Sequence, residues 1–171
     1  MIRRLLVLTA AALALAGCVL QSRVPLFDDS SSVLALGDKG GGARVENFDK
    51  GKWVEEKEAL TIDVVGKHYE AHSGKATVIL NFVKLSGSTF ILQGRENDEN
   101  AAYMIAQVKD GVAEVRPLAC TDIKKDETLA KWVEYVKDDC FVKPGAPAQE
   151  LFIALAKLPG DPTSRLTIIL K

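Results

Sequence analysis

Both histidines of the chain fall within five residues, His68-Tyr69-Glu70-Ala71-His72. On a strand, positions i, i+2 and i+4 share a face, so His68, Glu70 and His72 would stand together as two imidazoles and a carboxylate. Zinc accepts that ligand set and keeps a fourth position for water. Gly66 before the run and Ser73-Gly74 after it argue against a helix. The spacing also departs from the His-Glu-x-x-His metalloprotease pattern, because the glutamate follows the first histidine by two residues. A plainer reading competes: the solvent face of a half-buried strand is polar at alternate positions by default, with Tyr69 and Ala71 turned inward. These three residues are the candidates for a metal, and the expectation is that no metal or other cofactor is bound.

Other reactive patterns are missing from the sequence. It contains no Gly-x-Ser-x-Gly elbow, no phosphate loop ending in Gly-Lys-Ser/Thr and no dinucleotide fingerprint. Gly37-Asp38-Lys39-Gly40-Gly41-Gly42 is glycine-rich but follows no strand signal, so it reads as a linker. The pairs Glu55-Glu56 and Asp138-Asp139 suit solvated turns. No catalytic residue is expected, and the chain is read as a non-enzyme. Trp132 lies on an apolar helical stripe and reads as core. Trp53, beside a turn, can cap an open barrel end or line a groove.

Residues 1–17 have the layout of a secretion signal. Arg3 and Arg4 precede twelve apolar or small residues, 5–16, and a small-residue exit. Twelve helical residues cover about 18 Å, short of a hydrocarbon core of roughly 30 Å, so a permanent span is not expected. The last four residues, Leu15-Ala16-Gly17-Cys18, resemble the lipobox of bacterial lipoproteins. That resemblance covers the signal alone. It implies diacylglycerol on the Cys18 thiol, cleavage before Cys18, and an acyl chain such as palmitate on the new amine. Several chains at ~0.8 kcal/mol per buried methylene make release from the bilayer very slow. Val19 stands where an aspartate is associated with inner-membrane retention. The resemblance therefore implies the outer membrane, with the domain facing the periplasm. In broad outline the chain looks like a small Gram-negative bacterial lipoprotein.

Of three cysteines, the lipid then claims one. Cys120 and Cys140 form an even remainder in an oxidising compartment, and a disulfide between them is the natural reading. Such a bond, closing about twenty residues, stabilises by roughly 3 kcal/mol through loop-closure entropy. The pair lacks the Cys-x-x-Cys spacing of zinc or redox sites.

Composition bounds the rest. Hydrophobic residues make up 47% and charged residues 26% of 171, a globular balance rather than a disordered one. Without residues 1–17 the chain has 154, enough for one domain. The leader takes Arg3 and Arg4 with it. Twenty basic residues then face 23 acidic ones, for a net charge of −3, and no basic cluster stands clear of acids. That excludes the phosphate-neutralising patch that nucleic-acid binding requires.

The elements that must position these groups follow from turn residues and periodicity. Residues 18–42 read as the lipidated cysteine and a flexible tether, with 33–36 apolar enough to dock as an edge strand. Residues 43–171 read as one β-rich domain. Within 43–119, short runs of Val, Ile, Thr, Phe and Tyr are divided at Gly51, Gly66, Ser73-Gly74, Ser86-Gly87 and Asp110-Gly111. The clearest hairpins are 76–85 with 88–93 and 101–108 with 112–118. Two helices are predicted next. One covers 127–137, where Leu129, Trp132, Val133 and Val136 form a stripe behind the N-cap Asp126. The other starts at Pro147 and ends before Pro159-Gly160. A last strand covers 165–170. The expected fold class is α+β: an antiparallel meander, open or curled into a partial barrel, then two helices and a final strand.

Three functions are carried forward. The chain is first a membrane-anchored envelope lipoprotein that binds a protein partner or the cell wall without catalysis. The alternatives are a small-molecule or lipid carrier with an apolar barrel mouth, and a metal-dependent enzyme at His68, Glu70 and His72. A Cys18→Ser variant is expected to leave the membrane fraction in a high-salt wash, as read by fractionation of cells expressing the full chain.

Overall fold

The computed structural model describes residues 19–96 and 100–169, so the expected leader and Cys18 lie outside the described residues. Twelve strands and three short helices fall within them. The strands are β1 (Leu20–Ser22), β2 (Gly41–Asp49), β3 (Lys52–Glu55), β4 (Leu60–Val65), β5 (His68–Ser73), β6 (Ala76–Ser86), β7 (Thr89–Arg95), β8 (Ala101–Lys109), β9 (Val112–Pro117), β10 (Val133–Val136), β11 (Asp139–Val142) and β12 (Ser164–Ile169). The helices are α1 (Cys120–Lys125), α2 (Glu127–Ala130) and α3 (Ala148–Leu155).

The meander from β4 to β9 is closed by its two ends. β12 pairs with β9 on one side and β2 on the other, and β2 pairs with β4. The result is an eight-stranded antiparallel barrel. At two places a strand changes neighbours along one edge. β2 runs beside β4 over Gly41 to Ala43 and beside β3 from Glu46 to Asp49. β8 pairs with β1 at Ala101 and Ala102, and with β9 from Met104 onward. β1 also pairs parallel with β11, and β10 completes that side layer.

Inward positions alternate along each strand, as period-two geometry requires. Val78, Leu80 and Phe82 from β6, Phe90 and Leu92 from β7, and Tyr69 and Ala71 from β5 fill the inside with residues from the other strands. An eight-stranded barrel has an interior just wide enough for side chains, and this one is filled by them. The intervening residues Val83, Ile91, Tyr103 and Ile105 face outward into a second core with Ile123, Leu129, Val142, Leu151, Phe152 and Leu155. Strands β6 to β8 are therefore covered on both faces. This is why Thr89–Arg95 is buried at five consecutive positions rather than alternately. The turn Asp110-Gly111, with φ of 51° and 76°, has the two left-handed residues that a tight hairpin demands.

Two expectations are corrected. The fold is mostly β with short helices rather than a balanced α+β, and the barrel closes. Within 127–137 only the first turn is helical. Asp126 does cap it, accepting hydrogen bonds from the Thr128 and Leu129 amides. Beyond Trp132 the chain becomes β10, with Lys137 at φ 56° turning it into β11. Val133, Tyr135 and Val136 are β-branched or aromatic, and pairing with β11 overrides the helical spacing. Val136, which the helical stripe would bury, is 41% exposed. Trp132 packs against the second core, half-buried.

The segment expected as a flexible tether is bound to the domain throughout its described length. Val19 and Leu20 are buried, and Leu20 donates to the Leu118 carbonyl at 2.9 Å. Residues 24–37 then form a strap across the outside of β7 and β6. Gln93, fully buried, accepts from the Leu26 and Phe27 amides at 3.1 Å and donates to the Phe27 carbonyl at 2.9 Å. Tyr103 accepts from Leu26 N and donates to Gln93 Oε1. Asn81 donates to Ser32 Oγ at 2.9 Å, and Val33 N donates to the Phe82 carbonyl. Residues 33–36 dock as expected, but not as a strand. Leu34, Ala35 and Leu36 pack against the barrel core. Even the glycines are constrained: a Cβ on Gly40 would strike the Ile62 carbonyl oxygen, and one on Gly41 would lie 2.6 Å from that of Ile169.

Tyr69 fastens the end of the strap from inside the barrel. Its hydroxyl accepts from Leu36 N and donates to the Gly37 carbonyl, both at 2.8 Å. Burial pushes its ionisation up to about 12 from the ordinary 10. Its contribution to stability is complete below pH 10 and is lost as pH rises from 10 through 12. Tyr69→Phe leaves both strap groups unpaired. It is expected to cost about 1–3 kcal/mol in urea unfolding at neutral pH and to weaken the alkaline transition in that window.

Candidate functional site

The histidine strand has the face predicted for it. In β5, His68, Glu70 and His72 point outward while Tyr69 and Ala71 are buried inside. His68 Nε2 lies 3.7 Å from one Glu70 oxygen, and His72 Nε2 lies 3.8 Å from the other. Each ring also has a closer partner. His68 Nδ1 is 2.7 Å from Asp29 Oδ1 on the strap. His72 Nδ1 is 2.9 Å from Thr77 Oγ1, and its Nε2 is 3.3 Å from Asp63 Oδ2. The histidines thus bind the strap and the neighbouring strands β4 and β6. Among the described residues no group of three or more His, Cys, Asp or Glu side chains is arranged to hold a metal ion.

Cys120 and Cys140 are bonded to each other, with Cα atoms 5.7 Å apart. The bond ties the start of α1 to β11, where Cys140 sits opposite Leu20 of β1.

A feature with room for a partner lies on the outer wall. Where Val45, Ala113 and Leu166 point into the barrel, their neighbours Arg44, Glu46, Glu114 and Arg165 point out. Together with Lys109 and Asp110 they border an open groove of about 630 Å³ across β8, β9, β12 and β2. Arg165 organises one side of it. Its Nη2 and Nε lie 2.6 and 2.8 Å from Glu114 Oε1. Its guanidinium carbon sits 4.0 Å from the centre of the Trp53 ring, a cation–π contact. Trp53 in turn packs on Phe48, with ring centres 5.1 Å apart, and Phe48 is 44% exposed. Arg44 reaches Glu55 on β3 at 3.5 Å. The groove therefore has acidic and basic groups on its walls and an aromatic shelf beside them.

Trp53 does not line this groove; it stacks on Arg165, which does, and on Phe48. The groove itself was not anticipated. Its local signal was the alternation Arg44-Val45-Glu46 and Arg165-Leu166-Thr167, which says only that these residues face outward. That β2, β9 and β12 lie side by side is a property of barrel closure.

No protein family, no curated protein and no solved structure matches the chain. Fold and site define a class in physical terms: a small closed antiparallel barrel, packed inside, with a mixed-charge groove on its outside. Elemental analysis of protein purified without a histidine tag is expected to find zinc well below one per chain.

Proposed function

We propose that this chain is an envelope lipoprotein, anchored through acylated Cys18, that holds a protein partner in the groove on its outer wall and performs no chemistry on it. The observation that carries the reading is the composition of that groove: paired arginines and carboxylates on its walls, with exposed Phe48 and half-buried Trp53 stacked beside Arg165. Aromatic residues and arginine are the groups over-represented where proteins bind one another, and alternating charges on the rim fix register and reject the wrong partner. Arg165 is held from two sides, by Glu114 and by Trp53, so little of its freedom remains to be lost on binding.

The carrier reading has weaker support. A closed barrel agrees with it in outline, but Tyr69 and Phe82 are fully buried among the inward side chains, and Leu34, Ala35 and Leu36 pack against the same core. A site at the outer membrane on the periplasmic side follows from the lipobox and from Val19 after the anchor, and belongs to the same proposal.

A photo-crosslinking residue at Thr167, in the groove of the full-length chain in cells, tests the reading. One dominant adduct is expected, reduced at least several-fold when Arg165→Ala is added and absent when the crosslinker is placed at Lys75 instead. Equal, diffuse labelling from Thr167 and Lys75 would contradict it.

A further inference from the structure

We infer that the domain rests directly on the bilayer, with the β10–β11 turn and the first turn of α1 at headgroup level, instead of standing away from it on a leash. This rests on the acylation of Cys18 proposed above.

The argument is one of reach. A disordered tether over residues 19–42 would give a root-mean-square span of about 25–30 Å, enough to clear the headgroups in any orientation. Pairing at Val19 and in β1 removes that slack, because the described chain is already part of the domain at Val19. Val19 is 2% exposed and bridges to Ala119, and Leu20 is fully buried between Leu118 and Cys140. The Cys120–Cys140 bond joins the two segments that flank this start. Consecutive Cα atoms are 3.8 Å apart, so the lipidated sulfur cannot lie more than about 7 Å from the Cα of buried Val19. The surface around that point must then meet the lipid.

The register identifies the surface. β1 runs parallel to β11 with Leu20 opposite Cys140, which puts Val19 level with Asp139 and next to the turn of Lys137 and Asp138. On its other side Ala119 leads into Thr121. Thr121 and the residues from Val136 to Asp139 are exposed. They carry one basic and two acidic groups, so the acyl chains, not charge, hold this face down. The turn Gly74-Lys75 is far from it: in the antiparallel register Val19 falls level with Met104, which pairs with Leu92 and through it with Phe82, and Ala76 is six residues along β6 from Phe82, or roughly 20 Å.

The full acylated chain in vesicles of phosphatidylethanolamine and phosphatidylglycerol provides the test by hydrogen–deuterium exchange. It is compared with a variant carrying a flexible Gly-Ser insert between Cys18 and Val19. Amides at 121–125 and 136–139 are expected to exchange several-fold more slowly in the native chain than in the variant, while 74–75 exchange alike in both. Equal rates at 121–125 and 136–139, with the N-terminal peptide shown by mass to be acylated, would overturn this inference and leave the anchor standing. An N-terminal peptide without acyl groups would overturn the anchor and this inference together.

Discussion

The structure depends on one buried amide. Gln93 lies on the outward face of β7 and is fully covered, so each of its polar atoms must find a partner there. It finds them in the backbone of Leu26 and Phe27 and in the hydroxyl of Tyr103. The dependence is mutual. Gln93 in turn supplies partners to the Leu26 and Phe27 amides and to the Phe27 carbonyl. With the strap held, the Phe27 ring packs edge-on against Phe152 at 5.5 Å and Tyr103 at 6.3 Å, and joins the layer of α3. Further on, Asn81 and Tyr69 continue the same fastening to the end of the barrel.

This constraint separates the surfaces of the molecule by role. The strap and the side layer of β1, β10, β11 and the helices cover β6 to β8, and the barrel's inside is filled by its own side chains. The outer wall of β2, β12 and β9 stays uncovered and bears the groove. His68 and His72, the residues whose types most suggested chemistry, lie instead beside the strap, where His68 meets Asp29. A tether that is built into the sheet also changes what an anchor on Cys18 would do, from leash to mount.

Much of the barrel was legible in the sequence because hairpins announce themselves locally. Asp110-Gly111 and Ser86-Gly87 stand between alternating runs, and both turns are where those signals put them. The face of β5 was legible for the same reason, since alternation alone sets which side His68 and Tyr69 occupy. What failed were judgements that needed distant partners. Residues 28–32 look like linker by composition, yet Ser32 is buried because Asn81 is there to donate to it. The stripe of Leu129, Trp132, Val133 and Val136 fits a helix until β11, anchored through Cys140, offers Val133 and Tyr135 a strand to pair with. Barrel closure, and with it the groove, rests on β12 meeting β9 about fifty residues away and β2 more than a hundred residues away, pairings that no local pattern encodes.

Native-state hydrogen exchange at the amides of Leu26 and Phe27 tests the central claim most directly. If Gln93 holds the strap as part of the domain, these two amides exchange only as the barrel itself unfolds, and their rates fall together with those of β7 as stability is raised. Exchange at the rate of unstructured chain, independent of the stability of β7, would contradict the account.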